Sequence, residues 1–99
     1  MIRAEIQRDG EALTLTVQGH AGAGEPGHDL VCAAVSTTVT ALANMAISEA
    51  DATVTLFEGN AHIYLRKPSK TMRSYFRFVR EVFRLLAEAH PANVSFKVS

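Results

Sequence analysis

Hydrophobic and polar residues alternate with a period of two near the start of the chain. The alternation covers residues 2–7 and returns over residues 13–17, where Leu13, Leu15 and Val17 are separated by threonines. A period of two places successive side chains on opposite faces of a strand. Asp9-Gly10, between the two runs, is typical of a turn that needs a positive φ. The pattern therefore predicts a β-hairpin with one buried face.

From Leu30 the hydrophobic period becomes helical. Asp29 precedes this segment in the position of an N-cap, and the pattern predicts a helix to about Ala50. Its apolar stripe is Val31, Val35, Val39, Leu42 and Ala46. A second amphipathic helix is predicted after Pro68-Ser69, running to about Ala89. Its stripe is Met72, Tyr75, Phe76, Val79, Val82, Phe83 and Leu86.

Three more short strands complete the pattern. Thr53–Phe57 and Ala61–Arg66 flank a turn at 58–60, and alternating apolar residues predict a last strand over 94–98, after Pro91. The order of elements is ββαββαβ. We therefore predict one α+β domain over residues 1–99, with two helices packed on one face of a mostly antiparallel sheet.

Composition narrows the class of protein. Apolar residues are 47% and charged residues 20% of the 99 residues, which is typical of a chain with a compact core. No apolar run reaches the roughly 20 residues that a membrane helix needs, and the first residues lack the apolar region of a secretory signal. The one cysteine cannot form an internal disulfide. We therefore expect a cytoplasmic protein with no membrane partner.

The segment between the second strand and the first helix contains the spacing Gly22-x-Gly24-x-x-Gly27. This spacing occurs in dinucleotide-binding loops, but here the preceding strand belongs to a hairpin and the acidic residue expected about twenty positions later is missing. A metal site would use His20, His28 and Cys32, with His62 or His90 brought in by the fold. This set has a single thiolate, whereas structural zinc usually takes four ligands in close pairs. We expect no cofactor and no metal.

Cys32 has two interpretations from the residues alone. A cysteine beside alanines in a stripe of valine and leucine is usually a small buried hydrophobic residue. Alternatively, at about the third residue of the helix, unpaired N–H groups and the helix dipole stabilise a thiolate. His20, at the other end of the glycine-rich loop, would then supply the imidazole of a Cys–His pair.

"GHAG" followed by "GHDLVCAAVS" resembles the ribosomal-processing cysteine proteases, the Prp family. Members carry GHAG, a variable loop with glycine, and a segment of the form G-x-D-[IL]-V-C-A-A-[VI]-S. The matching residues are Gly19, His20, Ala21, Gly22, Gly27, Asp29, Val31, Cys32, Ala33, Ala34 and Ser36. The resemblance extends to chain length, the strand pair before the motif and the helix after it. Beyond about Asp51 only the order of elements is similar.

The resemblance implies a cysteine endopeptidase, with Cys32 as nucleophile and His20 as base. Its substrate would be a short N-terminal extension, the leader peptide, of a large-subunit ribosomal protein, and the protein would form a homodimer. Asp29 matches the aspartate of the family and would either cap the helix or orient His20. Ser36 matches too, as a supporting residue, although it could bond a helix carbonyl instead.

Two features of the loop and helix would assist this chemistry. The backbone N–H groups of Cys32 and Ala33, near the helix start, are candidate oxyanion donors. Gly22, Gly24 and Gly27 give the loop conformational range, so we expect it to close over a bound peptide.

Charge is divided between the two parts of the chain. Residues 1–65 hold two basic and eight acidic residues, a net charge of −6, and residues 66–99 hold eight basic and two acidic residues, a net charge of +6. Arg73, Arg77, Arg80 and Arg84 recur at helical spacing, which usually marks a solvated face. Contact of this row with ribosomal RNA is the less favoured interpretation, because no aromatic residues are interleaved on that face of the helix. The alternatives are a non-enzymatic ribosome-associated module that binds through this row, or a redox sensor using Cys32.

Overall fold

The computed structural model describes residues 1–19, 28–49 and 51–99, with the backbone alone at residues 28 and 29. The elements are β1 (Ile2–Asp9), β2 (Ala12–Gly19), α1 (His28–Ala46), β3 (Ala52–Phe57), β4 (Asn60–Leu65), α2 (Lys70–Ala89) and β5 (Val94–Val98). The predicted order, ββαββαβ, is confirmed.

The five strands form one sheet in the order β3-β4-β2-β1-β5. All neighbours are antiparallel except β1 and β5, which run parallel. The predicted Asp-Gly turn joins β1 to β2, and Gly10 has the positive φ of 61° that such a turn requires. The sheet is therefore mostly antiparallel, as predicted, with β3 and β5 at its edges.

Both helices pack on the same face of this sheet. The alternating apolar residues of β1, β2 and β4 are buried on this face, and every residue of the predicted α1 stripe is buried beneath the helix. In α2 the large buried side chains are Met72, Phe76, Val79 and Phe83. Phe83 is fully buried and its ring stacks on Phe96 of β5, with centroids 5.8 Å apart. The α+β architecture is therefore the predicted one, with a single core between helices and sheet.

The limits of α1 differ from the prediction at both ends. The helix begins at His28, so Asp29 lies in its first turn and not at the N-cap position before it. It ends at Ala46 and not near Ala50, because the next residues form a tighter turn in which the N–H of Glu49 donates to the carbonyl of Ala46. The Ser48 hydroxyl donates to the carbonyl of Met45 at 2.8 Å and satisfies one of the last helix carbonyls.

The start of α2 is capped by a side chain. Ser69 is extended, and its hydroxyl oxygen accepts a hydrogen bond from the N–H of Met72. The backbone N–H of Ser69 donates to the carboxylate of Glu49, which ties this end of α2 to the turn after α1. Within the described ranges, neither helix combines the length and apolarity that a membrane span requires.

Candidate active site

A cleft of about 280 Å³ opens at the end of the sheet where β1 begins and β2 ends. Its floor is formed by the buried side chains of Ile2, Val17 and Ala61. One wall is a face of α1, and the opposite wall is the end of β3 with the turn into β4. The α1 wall consists of Cys32, Val35, Ser36, Val39 and Thr40, and the turn wall consists of residues 56–60.

Gly19 ends β2 at the rim of this cleft. Its φ of +92° is in the region that favours glycine, and a Cβ atom there would clash with the backbone carbonyl oxygen of Met1. Its N–H donates to the carbonyl of Gly59 at 2.9 Å, which joins the end of β2 to the β3–β4 turn. Glycine is therefore required at the point where the chain leaves the sheet toward residue 20.

Cys32 lies where the core meets the cleft, and its role as nucleophile stays a prediction. Its side chain is half-buried and packs against the core, and it also lines the cleft. It is the fifth residue of α1, not about the third as predicted, because the helix begins earlier. The sulfur is therefore neither sealed in the interior nor displayed on an open surface.

The backbone around Cys32 is already inside the helix. An α-helix that begins at residue 28 pairs the N–H of Cys32 with the carbonyl of residue 28, and that of Ala33 with residue 29. These two N–H groups can therefore donate to an oxyanion only if the first turn of α1 opens. Their assignment stays a prediction.

The other predicted site residues divide into two groups. Ser36 lies one turn beyond Cys32, is exposed, and lines the same cleft. His20 and the loop glycines Gly22, Gly24 and Gly27 lie outside the described residues, and Asp29 is described by its backbone alone. The geometry thus joins Cys32 and Ser36, and the pairing with His20 stays a prediction. Across the described ranges no three His, Cys, Asp or Glu side chains form a metal-binding group.

The wall opposite α1 was not assigned to the site from the sequence. Leu56 and Phe57 are 45% and 72% exposed, and they stand beside the turn at Glu58-Gly59 that completes the cleft. The available signal was an apolar pair directly before a turn, where polar residues are the norm. The same two residues also fit the end of the strand predicted over Thr53–Phe57.

Two of the four arginines in the row on α2 form hydrogen bonds or ion pairs within the protein. Arg84 forms ion pairs with Glu81 and Glu88, both at 2.8 Å. The hydrogen bond from Arg84 lowers the pKa of Glu81, and the same bond raises the pKa of Arg84. Arg73 donates to the backbone carbonyl of Glu11 at 3.1 Å. These contacts favour the interpretation of the row as a solvated face.

Solved structures of known proteins are similar to this chain over nearly its whole length. The chain is 34% identical to SMU.848 from Streptococcus mutans, with a TM-score of 0.77 over 99% of this chain and 93% of that one. It shares its fold with an essential ribosomal processing protease Prp from S. aureus, at 22% identity over both full chains. The TM-scores are 0.85 to the complex with a substrate peptide and 0.82 to that with a covalently linked product peptide.

No curated protein matches the chain. The family model of cysteine protease Prp matches residues 1–95, nearly the whole sequence and every strand and helix except the end of β5. The chain therefore belongs to the Prp family of cysteine proteases.

Proposed function

We propose that this protein is the endopeptidase that removes a short N-terminal extension from a large-subunit ribosomal protein. The observation that carries the proposal is the position of Cys32, the only cysteine of a cysteine protease, in the wall of a cleft. The similar S. aureus protein is a ribosomal processing protease solved with a substrate peptide, which supports the substrate class. The family membership disfavours the non-enzymatic binding module.

The proposed chemistry passes through a thioester. The Cys32 sulfur attacks the scissile carbonyl carbon, and His20 gives a proton to the departing amine as the C–N bond breaks. Water, activated by His20, then attacks the thioester, releases the new carboxylate and returns the proton to the sulfur. Closure of the loop that holds Gly22, Gly24 and Gly27 would exclude bulk water and bring His20 to the cleft.

The charge of the molecule supports a basic substrate. Residues 1–65, which include Cys32 and both walls of the cleft, carry a net charge of −6. Ribosomal proteins are generally basic, so attraction would speed encounter with the leader, and added salt would slow it. We expect kcat/KM to fall between low and physiological ionic strength while kcat changes little.

We also propose that the protein acts in the cytoplasm as a homodimer. A single cysteine, which cannot form an internal disulfide, suits a reducing compartment. Phe78 and Leu85, 71% and 54% exposed and two turns apart on α2, supply an apolar strip for the contact between copies. Light scattering after size-exclusion chromatography measures the oligomeric state, and Phe78→Ser should shift a dimer to the monomer.

The decisive experiment incubates the purified protein with synthetic peptides that cover the N-termini of the host's large-subunit ribosomal proteins. Mass spectrometry should find one peptide cut at one bond. Cys32→Ser and His20→Ala should each lower kcat/KM about a thousandfold or more, because a nucleophile and its base act as a unit. His62→Ala provides the matched control, since His62 is exposed on β4 and does not line the cleft.

Each outcome tests a different part of the proposal. Undiminished cleavage by Cys32→Ser would remove the nucleophile assignment. Full activity of His20→Ala would leave Cys32 with another base. If no ribosomal leader is cut, the substrate class is wrong although the protein remains a cysteine protease.

A further inference from the structure

Strand β3 is an edge strand without the usual protection. Its six residues, ATVTLF, contain no charged residue and no proline, and two of them are β-branched threonines that favour extended chain. Natural proteins normally blunt an edge with lysine, proline or a bulge, because its unpaired backbone groups invite another strand. An unprotected edge beside a catalytic cleft is therefore a candidate for a binding surface.

The direction of the β3 backbone groups follows from hydrogen bonds elsewhere in the sheet. The N–H of Ile2 donates to the carbonyl of Asn93, so the even-numbered residues of β1 face β5. Along each strand, alternate residues bond the neighbour on one side and the neighbour on the other, so the registers extend this assignment from β1 through β2 and β4 to β3. The bond from the N–H of Gly19 to the carbonyl of Gly59 agrees with the assignment. The odd-numbered residues of β3 consequently bond β4, and its even-numbered residues point away from the sheet.

Two residues present free backbone groups on this edge. The N–H of Ala52 is taken by the carbonyl of Glu49, but Val54 and Leu56 have no backbone partner on their outer side among the described residues. Each offers one N–H donor and one C=O acceptor, spaced as the next strand of a sheet would need them.

The same two residues direct their side chains toward α1. Val54 pairs with Ile63 and Leu56 with Ala61, and both partners are buried on the face that the helices cover. Leu56 lines the cleft together with Cys32. A strand added beyond β3 would therefore lie against the wall of the cleft that Leu56 helps to form, and the opposite wall is the helix that carries Cys32.

We propose that the substrate binds as an additional strand on the β3 edge, its backbone paired with Val54 and Leu56. This inference rests on the proposed function, since it takes a peptide as the occupant. Hydrogen bonds between the two main chains supply affinity whatever the side chains of the peptide are. Alternate side chains of the peptide enter the cleft between Leu56 and Val39. The substrate class is accordingly an extended, unfolded segment that carries apolar residues at alternate positions and no proline where it pairs.

The rival occupant is β3 of a second copy, which would join two sheets edge to edge. The position of Cys32 favours the peptide, because a partner strand would block the cleft of a protease on both copies. Light scattering on the variants described below separates the two occupants.

The first test removes backbone donors from the edge. Val54→Pro and Leu56→Pro lose an outward N–H without removing a ladder hydrogen bond, whereas Val54→Ala and Leu56→Ala lose only side-chain atoms. We expect each proline variant to have a kcat/KM about tenfold or more below its alanine counterpart. Val98→Pro, at an outward position of β5, should cleave as the wild type does.

The second test leaves the protein unchanged. Leader peptides found to be cut by the wild type are synthesised with one N-methyl group at each position in turn. Methylation should lower kcat/KM about tenfold or more at every second residue and have little effect between, because only alternate N–H groups of an added strand face β3.

The outcomes are distinct. Efficient cleavage of every methylated peptide, together with equal rates for the proline and alanine variants, overturns strand addition and leaves the proposed function intact. Absence of cleavage by the wild type overturns both. A dimer that Val54→Pro converts to a monomer at unchanged kcat/KM shows that the second copy occupies the edge and overturns the proposal.

Discussion

The two helices lie on the same face of one sheet but have opposite characters. From Leu30 to Ala46, α1 contains no charged residue, and its side chains are mostly alanine, valine, serine and threonine. Helix α2 contains seven charged residues in its 20 and anchors itself with methionine and phenylalanine. The cleft lies against α1, and α2 contributes nothing to it.

The difference indicates that α2 mainly stabilises the fold and that α1 mainly forms the cleft. The large side chains of α2 are buried in the core, and its charged outer face carries ion pairs. The small, uncharged side chains of α1 allow a polypeptide backbone to approach closely, as cleavage of a peptide requires. Substitutions in α2 should therefore change the free energy of unfolding, and exposed substitutions in α1 should change the rate of cleavage.

The largest expected effect is the loss of Phe83 from α2. Phe83→Ala should lower the free energy of unfolding by about 3 to 5 kcal/mol, because it removes a fully buried ring and leaves a cavity beside Phe96. Urea denaturation measures the change. Phe57→Ala is the matched control: its ring is 72% exposed, so a change within about 0.5 kcal/mol is expected. Equal losses in the two variants would contradict the packing described for α2.

A smaller effect is expected at the start of α2. Ser69→Ala removes the oxygen that accepts from the N–H of Met72 and should lower the free energy of unfolding by about 1 kcal/mol. Ser74→Ala is the matched control, because that exposed hydroxyl bonds only the carbonyl of Lys70 inside the helix. Alanine favours helix there, so Ser74→Ala should be neutral or slightly stabilising. A loss as large as that of Ser69→Ala would argue against the cap.

The third prediction concerns an exposed position on α1. Ser36→Ala should change the free energy of unfolding by no more than about 0.5 kcal/mol. It should nevertheless lower kcat/KM about fivefold, the loss expected for one hydrogen bond to the substrate. Thr37→Ala, the next residue, does not line the cleft and should cleave normally. Identical rates for both variants would remove Ser36 from the site.

The smallest expected effect is the pH dependence of the exposed pair on α2. The hydrogen bond from Arg84 lowers the pKa of Glu81 in the folded protein. This contribution to stability is present above the ordinary carboxyl pKa and disappears as the pH falls through the lowered one. The wild type should therefore melt slightly above Glu81→Gln near pH 7, and the difference should shrink as the pH falls below the ordinary carboxyl pKa. The same difference in an Arg84→Gln background would show that Arg84 is not the partner.

Much of the fold follows from local pattern. The alternation in β1 and β2 and the helical stripe of α1 identified the buried faces, because burial depends on which side of an element a residue occupies. The ends of α1 could be predicted less well from the sequence. Whether a helix continues past Ala46 depends on turn hydrogen bonds such as that from Glu49, and these compete with further helix by small energies.

Only part of the site could be predicted from the sequence. Cys32 stood out as the single cysteine beside a recognisable motif, and Ser36 followed from the same motif. The opposite wall at Leu56 and Phe57 carries only the weaker signal of an apolar pair before a turn, and no recognisable motif includes it.

The sequence by itself determined which elements form, which faces of β1, β2 and α1 are buried, and which cysteine is available for chemistry. These properties depend on residue type and on spacing within one element. Tertiary structure alone decided that β3 is an edge and that Leu56 on this strand lines the same cleft as Cys32. Strand order depends on pairing between segments far apart in the chain, and periodicity within a strand does not specify its neighbours.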